Sequence, residues 1–455
     1  MRSFTIAFAV TALVFLAVVT TTAGPLTFDK SEYAARRGRL MEKIPDGIAV
    51  IWGSFASPQN NEITYLCGVD VPRAVLIVDG IRKESLLFYT TTENYLKGEG
   101  MSVDLARDPK GATGVEKYFP ANQFSTTLNR LAGQTAVIYT PFRSETRTSE
   151  VSTLHEWDGR LTRELQFVKL LGERFPQIEV RDCSEIIWEL RRIKSPAEIE
   201  ILRKVGRIGA QAMIEVIKAG RPGQYEYELS SFFEYSCKRQ GCRNMAFDVI
   251  ISSAENHPYL HYSRHNRRLT DGDFLVVDAG PELEYYDVDI TISFPINGKF
   301  TPRQREIYEA CYEVSKACLS LYRPEITGYQ IGEKVKEMLA QRGYDLKKDA
   351  FTLLSFFKEG GLTHHVGLAT HDAGGRDLNP SETLKPGMVF ACDVFAVFPG
   401  ENLGVRVENT VLITENGCEN LTPGIPREIS EIEALMKTRG ATPSAKRRES
   451  LLEKT

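Results

Sequence analysis

The stretch GLTHHVGLATHDAGG, residues 361–375, carries three of the chain's seven histidines within eight positions. His364 and His365 are adjacent, and His371 is followed at once by Asp372. Imidazoles ligate metals and move protons near neutral pH, but short histidine clusters in glycine-rich loops are common and unspecific. Carboxylates elsewhere in the chain, spaced to complete a site, would make this one chemical.

Four acids have that character. Asp278 ends the apolar run FLVVD, and Asp289 opens DITISFPI eleven positions later. Asp393 interrupts MVFACDVFAVF, and Glu408 interrupts LGVRVENTVLIT. All four stand in β-patterned strands, where an unpaired carboxylate is costly to bury. Two of them meeting across a hairpin repel unless a cation lies between. Arg406 and Glu408 point to one face of their strand, because strand side chains alternate. Singly, each acid reads as a structural ion pair, and Asp287 as a solvent-facing turn residue. Together, four carboxylates and one imidazole suit two hard or borderline divalent ions about 3.5 Å apart.

The elements that must position these groups fall into two parts. Residues 31 to about 185 alternate strands (GIAVIWG, RAVLIVDG, SLLFYT, TAVIYT) with helical patterns, in EYAARRGRLMEKI and around EVSTLHEWDGRLTRELQFVKLLGERF. That pattern predicts an α/β domain. A helix then opens at Ser195, with Pro196 in its first turn and Glu198 at the capping-box position, and ends at Gly220–Pro222–Gly223. A second opens in the same way at Thr301–Pro302 with Gln304. Antiparallel strand patterns lie between and after these helices, predicting an α+β domain. The expected division is 1–23 leader, 27–185 N-terminal domain, 190–436 catalytic domain and 437–455 polar tail.

Bulk properties narrow the function. With 42% hydrophobic and 25% charged residues, the chain is globular rather than disordered. A net charge of −4 shows no basic excess, which argues against nucleic acid as the partner. Arg2, an apolar run from Ile6 to Val19 and small residues near Thr21–Ala23 have the layout of a secretory signal peptide. An exported protein, periplasmic or secreted, with no integral membrane span after its removal is therefore expected. The eight cysteines include no C-x-x-C. Cys311 and Cys318 are two helical turns apart, too far to bridge; Cys237 and Cys242 form the one near pair worth testing.

In order and spacing, these motifs resemble the aminopeptidase P and prolidase group of "pita-bread" metallopeptidases, related to methionine aminopeptidase. The family's ligands run Asp, Asp, His, Glu, Glu, the first two eleven apart, as Asp278 and Asp289 are. His364, Gly367 and His371 fit its H-x-x-G-x-x-x-H pattern, and Arg406 and Glu408 its R-x-E strand. LKPGMVF at 384–390 resembles the turn before the fourth ligand, and HYSRHNRRLTDGD the segment whose first histidine, here His261, contacts substrate. The likeness covers nearly the whole chain after the leader.

The resemblance implies an α/β N-terminal domain followed by an α+β pita-bread catalytic domain. It implies two divalent ions held by Asp278, Asp289, His364, Asp393 and Glu408. Carboxylate-rich ligation favours manganese, with cobalt, iron or zinc open. His261, His371, Asp393 and Arg406 would be catalytic, and His365, beside the ligand, structural. His257 and His265 flank His261 at intervals of four, but Pro258 argues against the helix that would align them as ligands. The substrate would be a peptide with proline second, cleaved before that proline by a self-associating enzyme. Two departures stand out: Asp393 replaces a glutamate in an E-P-G setting, and Gly360 replaces a histidine four residues before the ligand histidine. An Xaa-Pro dipeptidase and a degenerate, non-catalytic binding protein on the same fold stay open as alternatives. A creatinase-like hydrolase lacks the metal carboxylates, so the four acids count against it.

Overall fold

The structure is a computed structural model that describes residues 26–55, 59–143, 161–375 and 378–438. The expected leader, part of the helical pattern over 150–175 and the tail beyond 438 lie outside the described residues. Six strands form the first sheet: β1 (Gly47–Trp52), β2 (Val75–Asp79), β3 (Glu84–Phe88), β4 (Lys117–Phe119), β5 (Val137–Thr140) and β6 (Glu179–Asp182). They lie in the order β4-β3-β2-β1-β5-β6. β1, β2 and β3 pair antiparallel, and β4, β5 and β6 join in parallel. β1, β2 and β5 are continuous apolar runs because both faces of the sheet are covered.

The remaining strands are β7 (Asn244–Met245), β8 (Ile250–Ser253), β9 (Phe274–Ala279), β10 (Pro281–Leu283), β11 (Tyr286–Asp287), β12 (Ile290–Pro295), β13 (Leu362–His365), β14 (Val389–Phe398), β15 (Leu403–Ile413) and β16 (Cys418–Asn420). β7, β10 and β11 make a small sheet of their own. The others form an antiparallel sheet in the order β13-β14-β15-β12-β9-β8, with β16 added on β15. An α/β unit is thus followed by an α+β unit, as the sequence pattern predicts.

Both expected helices form with complete capping boxes. Ser195 accepts from the Glu198 backbone and Glu198 returns the bond, opening Pro196–Ala219; Thr301 and Gln304 do the same for Pro302–Leu321. Each such cap stabilises a helix by about 1 kcal/mol. Glu198 also ties the two units together: its carboxylate accepts from the Tyr286 hydroxyl at 2.8 Å and lies 3.5 Å from the buried Arg36 of the N-terminal unit. Pro302–Leu321 packs on β14 and β15. On that side Tyr322 donates to Cys392 Sγ at 3.0 Å and Asn409 to Ser315 at 3.5 Å. Strand alternation therefore turns the neighbouring Asp393 and Glu408 to the opposite face. All eight cysteines are free thiols, Cys237 and Cys242 included.

The histidine loop is braced from behind. Asp372 is buried against Arg191, and its Oδ2 lies 3.3 Å from Lys194 Nζ. Although burial opposes it, Arg191 and Lys194 hold the Asp372 carboxyl down to about 2. Gly367 must be a glycine here, because a Cβ would stand 2.3 Å from Asp372 Oδ2 and 2.9 Å from Lys194 Cε. This loop corrects the expectation for Asp287. Its backbone N–H donates to the Gly367 carbonyl at 2.8 Å and its Oδ2 accepts from Thr370 at 3.4 Å, so Asp287 is buried beneath the loop rather than in solvent.

Replacing Asp372 by alanine removes a buried carboxylate that faces both Arg191 and Lys194 and is expected to destabilise the chain by ~3–5 kcal/mol. Urea unfolding measures this, and a loss below ~1 kcal/mol would show that the brace carries no weight.

Candidate metal centre

Register across the sheet assembles the acids. Asp278 on β9 stands opposite Thr291 on β12, Thr291 opposite Glu408 on β15, and Glu408 opposite Asp393 on β14. Asp289 lies two residues before Thr291 and Arg406 two before Glu408, so both share that face. His364 reaches it from β13, beyond β14. All four acids and His364 are buried. Asp278 and Asp289 also line a solvent-open cleft of about 820 Å³ together with His261, His371 and Arg406.

His364 is prepared as a ligand. Its Nδ1 is 3.3 Å from the His365 carbonyl and its Nε2 is 3.6 Å from Asp289 Oδ2; in the tautomer with the proton on Nδ1, the Nε2 lone pair is the one offered to a metal. Burial and then the neighbouring His371 push its pKa well below the usual imidazole value, so the ring is neutral. The two rings lie 3.9 Å apart between centroids. His365, next along the strand, points to the other side, where burial and then Lys194 hold it down to about 3.

Asp289, His364 and Glu408 each offer a ligand atom, and these atoms all lie within 4.8 Å of one another. Asp289 Oδ1, Glu408 Oε1 and Asp278 Oδ1 are buried with no hydrogen-bond partner. Orphaned carboxylate oxygens around an imidazole nitrogen are what a divalent cation requires, so the donor set fits a metal ion. Burial, then Glu408 and Asp278, raises Asp289 well above the ordinary carboxylate range. Burial pushes Glu408 up to about 7 with Arg406 opposing it, and does the same to Asp393.

Asp393 is engaged differently. Arg406 Nε donates to one of its oxygens at 3.0 Å and Nη2 to the other at 2.7 Å. The same guanidinium donates from Nη1 to Asp278 Oδ2 at 2.6 Å and lies 3.6 Å from Glu408 Oε2. Asp278 and Asp393 thus share the face with the metal-ligating group but are bound to arginine. Gly360 has φ +72°, and a Cβ there would stand 2.7 Å from Ile331 Cβ and 2.8 Å from the Gly328 carbonyl. The position where the resemblance leads one to look for a histidine cannot accept a side chain without rebuilding that turn.

Some functional neighbours were not singled out in the sequence. Thr291 donates to Glu408 Oε2 at 2.6 Å, and the Thr410 hydroxyl bonds both the N–H and the carbonyl of Asp289 at 2.8 Å. Their signal was strand alternation, since Thr291 follows Asp289 by two and Thr410 follows Glu408 by two. Nothing local marked Arg427, whose guanidinium reaches the Glu408 carbonyl at 2.7 Å from outside the strands.

Residues 200–415 match metallopeptidase family M24. The Xaa-Pro aminopeptidase of Escherichia coli (strain K12) is 32% identical over 444 residues, covering 90% of this chain and 98% of that protein. The solved structure of E. coli aminopeptidase P with the inhibitor Pro-Leu shares the fold with a TM-score of 0.73 at 28% identity, over 90% of this chain and 98% of that one. A zinc-substituted form in complex with product gives 0.74 at 28% identity, over 91% and 100%.

The raised acids set a pH dependence for the metal-stripped chain. Folded Glu408 keeps its proton to about 7, whereas its ordinary value is 4.5. Between those values the unfolded state binds fewer protons at this group, so the contribution of Glu408, like that of the other raised acids, falls as pH rises and levels off above about 7. It outweighs the opposite contribution of the buried neutral His364 and His365 below 6.5. Thermal melting of stripped protein is expected to give a higher Tm near pH 5 than near pH 7.5, and added manganese to shrink that difference. A profile unaffected by metal would contradict the cation assignment.

Proposed function

This chain belongs to metallopeptidase family M24, in its aminopeptidase P group, and from that premise we propose that it removes the N-terminal residue of peptides whose second residue is proline. It is a metallo-aminopeptidase hydrolase that uses divalent metal. The observation that carries the substrate reading is that the Asp289–His364–Glu408 donor group meets, through Asp289, a cleft also lined by His261 and His371. The fold it shares with a relative bound to Pro-Leu supports the same reading.

Asp289, His364 and Glu408 would hold the ion, and the Arg406 guanidinium would fix Asp278 beside it. A divalent ion there supplies Lewis acidity, polarising a carbonyl and lowering the pKa of water towards neutrality. The chain's own groups do the rest. Thr291 and Thr410 hold Glu408 and Asp289 in place. His261, exposed on the cleft wall, donates to the developing oxyanion, and His371 passes a proton to the departing proline nitrogen. The oxygen-rich donor set suits manganese, and the zinc-substituted relative supports a site tolerant of other divalent ions. The leader-like segment from Arg2 to Ala23 supports export.

An Xaa-Pro dipeptidase is separated by substrate length: it acts on Xaa-Pro alone and fails on tripeptides and longer. Chromatography of an Xaa-Pro-Xaa series, with and without chelator, is expected to show release of the first residue from tripeptides that metal removal abolishes. His261→Ala and His371→Ala are each expected to lower kcat by about 10²–10⁴-fold while metal content is kept. Retained metal with no cleavage of any member of the series would overturn the enzymatic reading in favour of a binding protein.

A further inference from the structure

We propose that the side chain of the substrate's first residue, the one before proline, enters an apolar pocket walled by Phe395, Tyr259 and Leu260, and that this pocket selects a bulky apolar residue there. The inference rests on the preceding reading and deepens it by naming the residue preferred before proline.

Strand register carries it. On the acid-bearing face, the residues two positions further along each strand form a second row. Ser252 stands there opposite Val276, and Arg406 opposite Phe395, with Val397 opposite Gly404 one row beyond. These rows floor a pocket of about 310 Å³ that shares Ile250 and Arg406 with the metal cleft. His257, Tyr259 and Leu260 close its other side. Gly404 makes room for them, since a Cβ there would stand 2.7 Å from His257 Cβ. Direction along the face names the occupant. The histidine loop crosses the far end of the acid row, where the Gly367 carbonyl accepts from the Asp287 backbone just before β12, and β12 runs from there towards the pocket. His371, carried by that loop, serves the departing proline nitrogen. The residue on the other side of the scissile bond therefore points to the Phe395 end.

The lining sets the preference. Phe395 and Val397 are the two positions of β14 that are not fully buried, and Tyr259 and Leu260 are 65% and 46% exposed. Apolar surface gathered beside a reaction cleft marks a place that a ligand covers. Phe395 is a fixed wall: its ring lies 6.0 Å from that of Phe356 and 5.7 Å from the Arg406 guanidinium carbon, and its carbonyl accepts from the Ser355 N–H at 2.8 Å. It stands at the glycine of the E-P-G setting, so this wall is the chain's own. The polar groups nearby are already engaged. Ser252 Oγ lies 3.3 Å from His257 Nδ1, and His257 Nε2 lies 3.2 Å from the Phe274 carbonyl. Burial holds His257 down to about 4, so its ring is neutral. Among the described residues no carboxylate lines the pocket, and its one charge is Arg406. A lysine side chain would meet a cation there and find no partner.

Full-length chain loaded with manganese(II) and assayed on Xaa-Pro-Ala tripeptides beginning with alanine, leucine, phenylalanine or lysine tests this, alongside an Ala-Pro-Xaa series varied at the third residue. The kcat/KM for Leu-Pro-Ala is expected to exceed that for Ala-Pro-Ala by about tenfold or more, with Lys-Pro-Ala below both. Phe395→Ala is expected to bring the leucine-to-alanine ratio towards one. A folded Phe395→Ala that lowers both substrates alike and keeps the ratio would overturn the role given to Phe395. The series on the unsubstituted chain decides even if that variant fails to fold, and Tyr259→Ala, at an exposed position, reads the same ratio a second time. Cleavage indifferent to the first residue, or governed by the third, would overturn the inference and keep the proposed function. Cleavage of no tripeptide would overturn the proposed function, and calorimetry of Leu-Pro-Ala and Ala-Pro-Ala binding then decides: tighter binding of the leucine peptide keeps the pocket, and equal binding overturns it.

Discussion

Four carboxylates buried on one face of an antiparallel sheet form a structure that cannot stand as anions alone. Each is desolvated, and the strand register sets them side by side: Asp278 next to Thr291, Thr291 next to Glu408, Glu408 next to Asp393. Such a row survives only if protons, a guanidinium or metal ions neutralise it. Much of the surrounding structure follows from that constraint. Thr291 donates to the Glu408 carboxylate, Thr410 bonds the Asp289 backbone, Arg427 holds the Glu408 backbone, and burial keeps His364 neutral with Nε2 turned towards Asp289.

The cluster meets its need for positive charge in two ways. Arg406 answers part of it from within, binding Asp393 through both oxygens and Asp278 through one. The orphaned oxygens of Asp289 and Glu408, facing His364, express the rest. The two departures from the family pattern then have different physical standing. Asp393 presents both of its carboxylate oxygens to Arg406. Gly360 belongs to a turn with a left-handed backbone pressed on Ile331, so a missing imidazole there is built into the chain's path. One alters the electrostatics of the site, and the other alters the shape of its wall.

Much of this was legible in the sequence because local rules governed it. The helix starts at Ser195 and Thr301 carry capping boxes that the structure forms as written. The runs around Asp278, Asp289, Asp393 and Glu408 are strands because their apolar residues leave no other way to bury them. Convergence of those strands is a long-range property, and only the ordered resemblance made it visible beforehand. What stayed hidden depended on contacts between distant segments. Asp287 looked solvent-facing until the 367–371 loop covered it, and Arg427 had no local mark. Which acid Arg406 would grip turned on one methylene and a diagonal across two strands.

At the centre stands the idea that a divalent ion sits among Asp289, His364 and Glu408 and neutralises what Arg406 leaves unmatched. Anomalous diffraction at the manganese edge, from crystals of the full chain grown with manganese, measures this directly. The expected result is a strong peak within bonding distance of His364 Nε2 and of oxygens of Asp289 and Glu408. No peak at that position, or peaks confined to surface carboxylates, would contradict it.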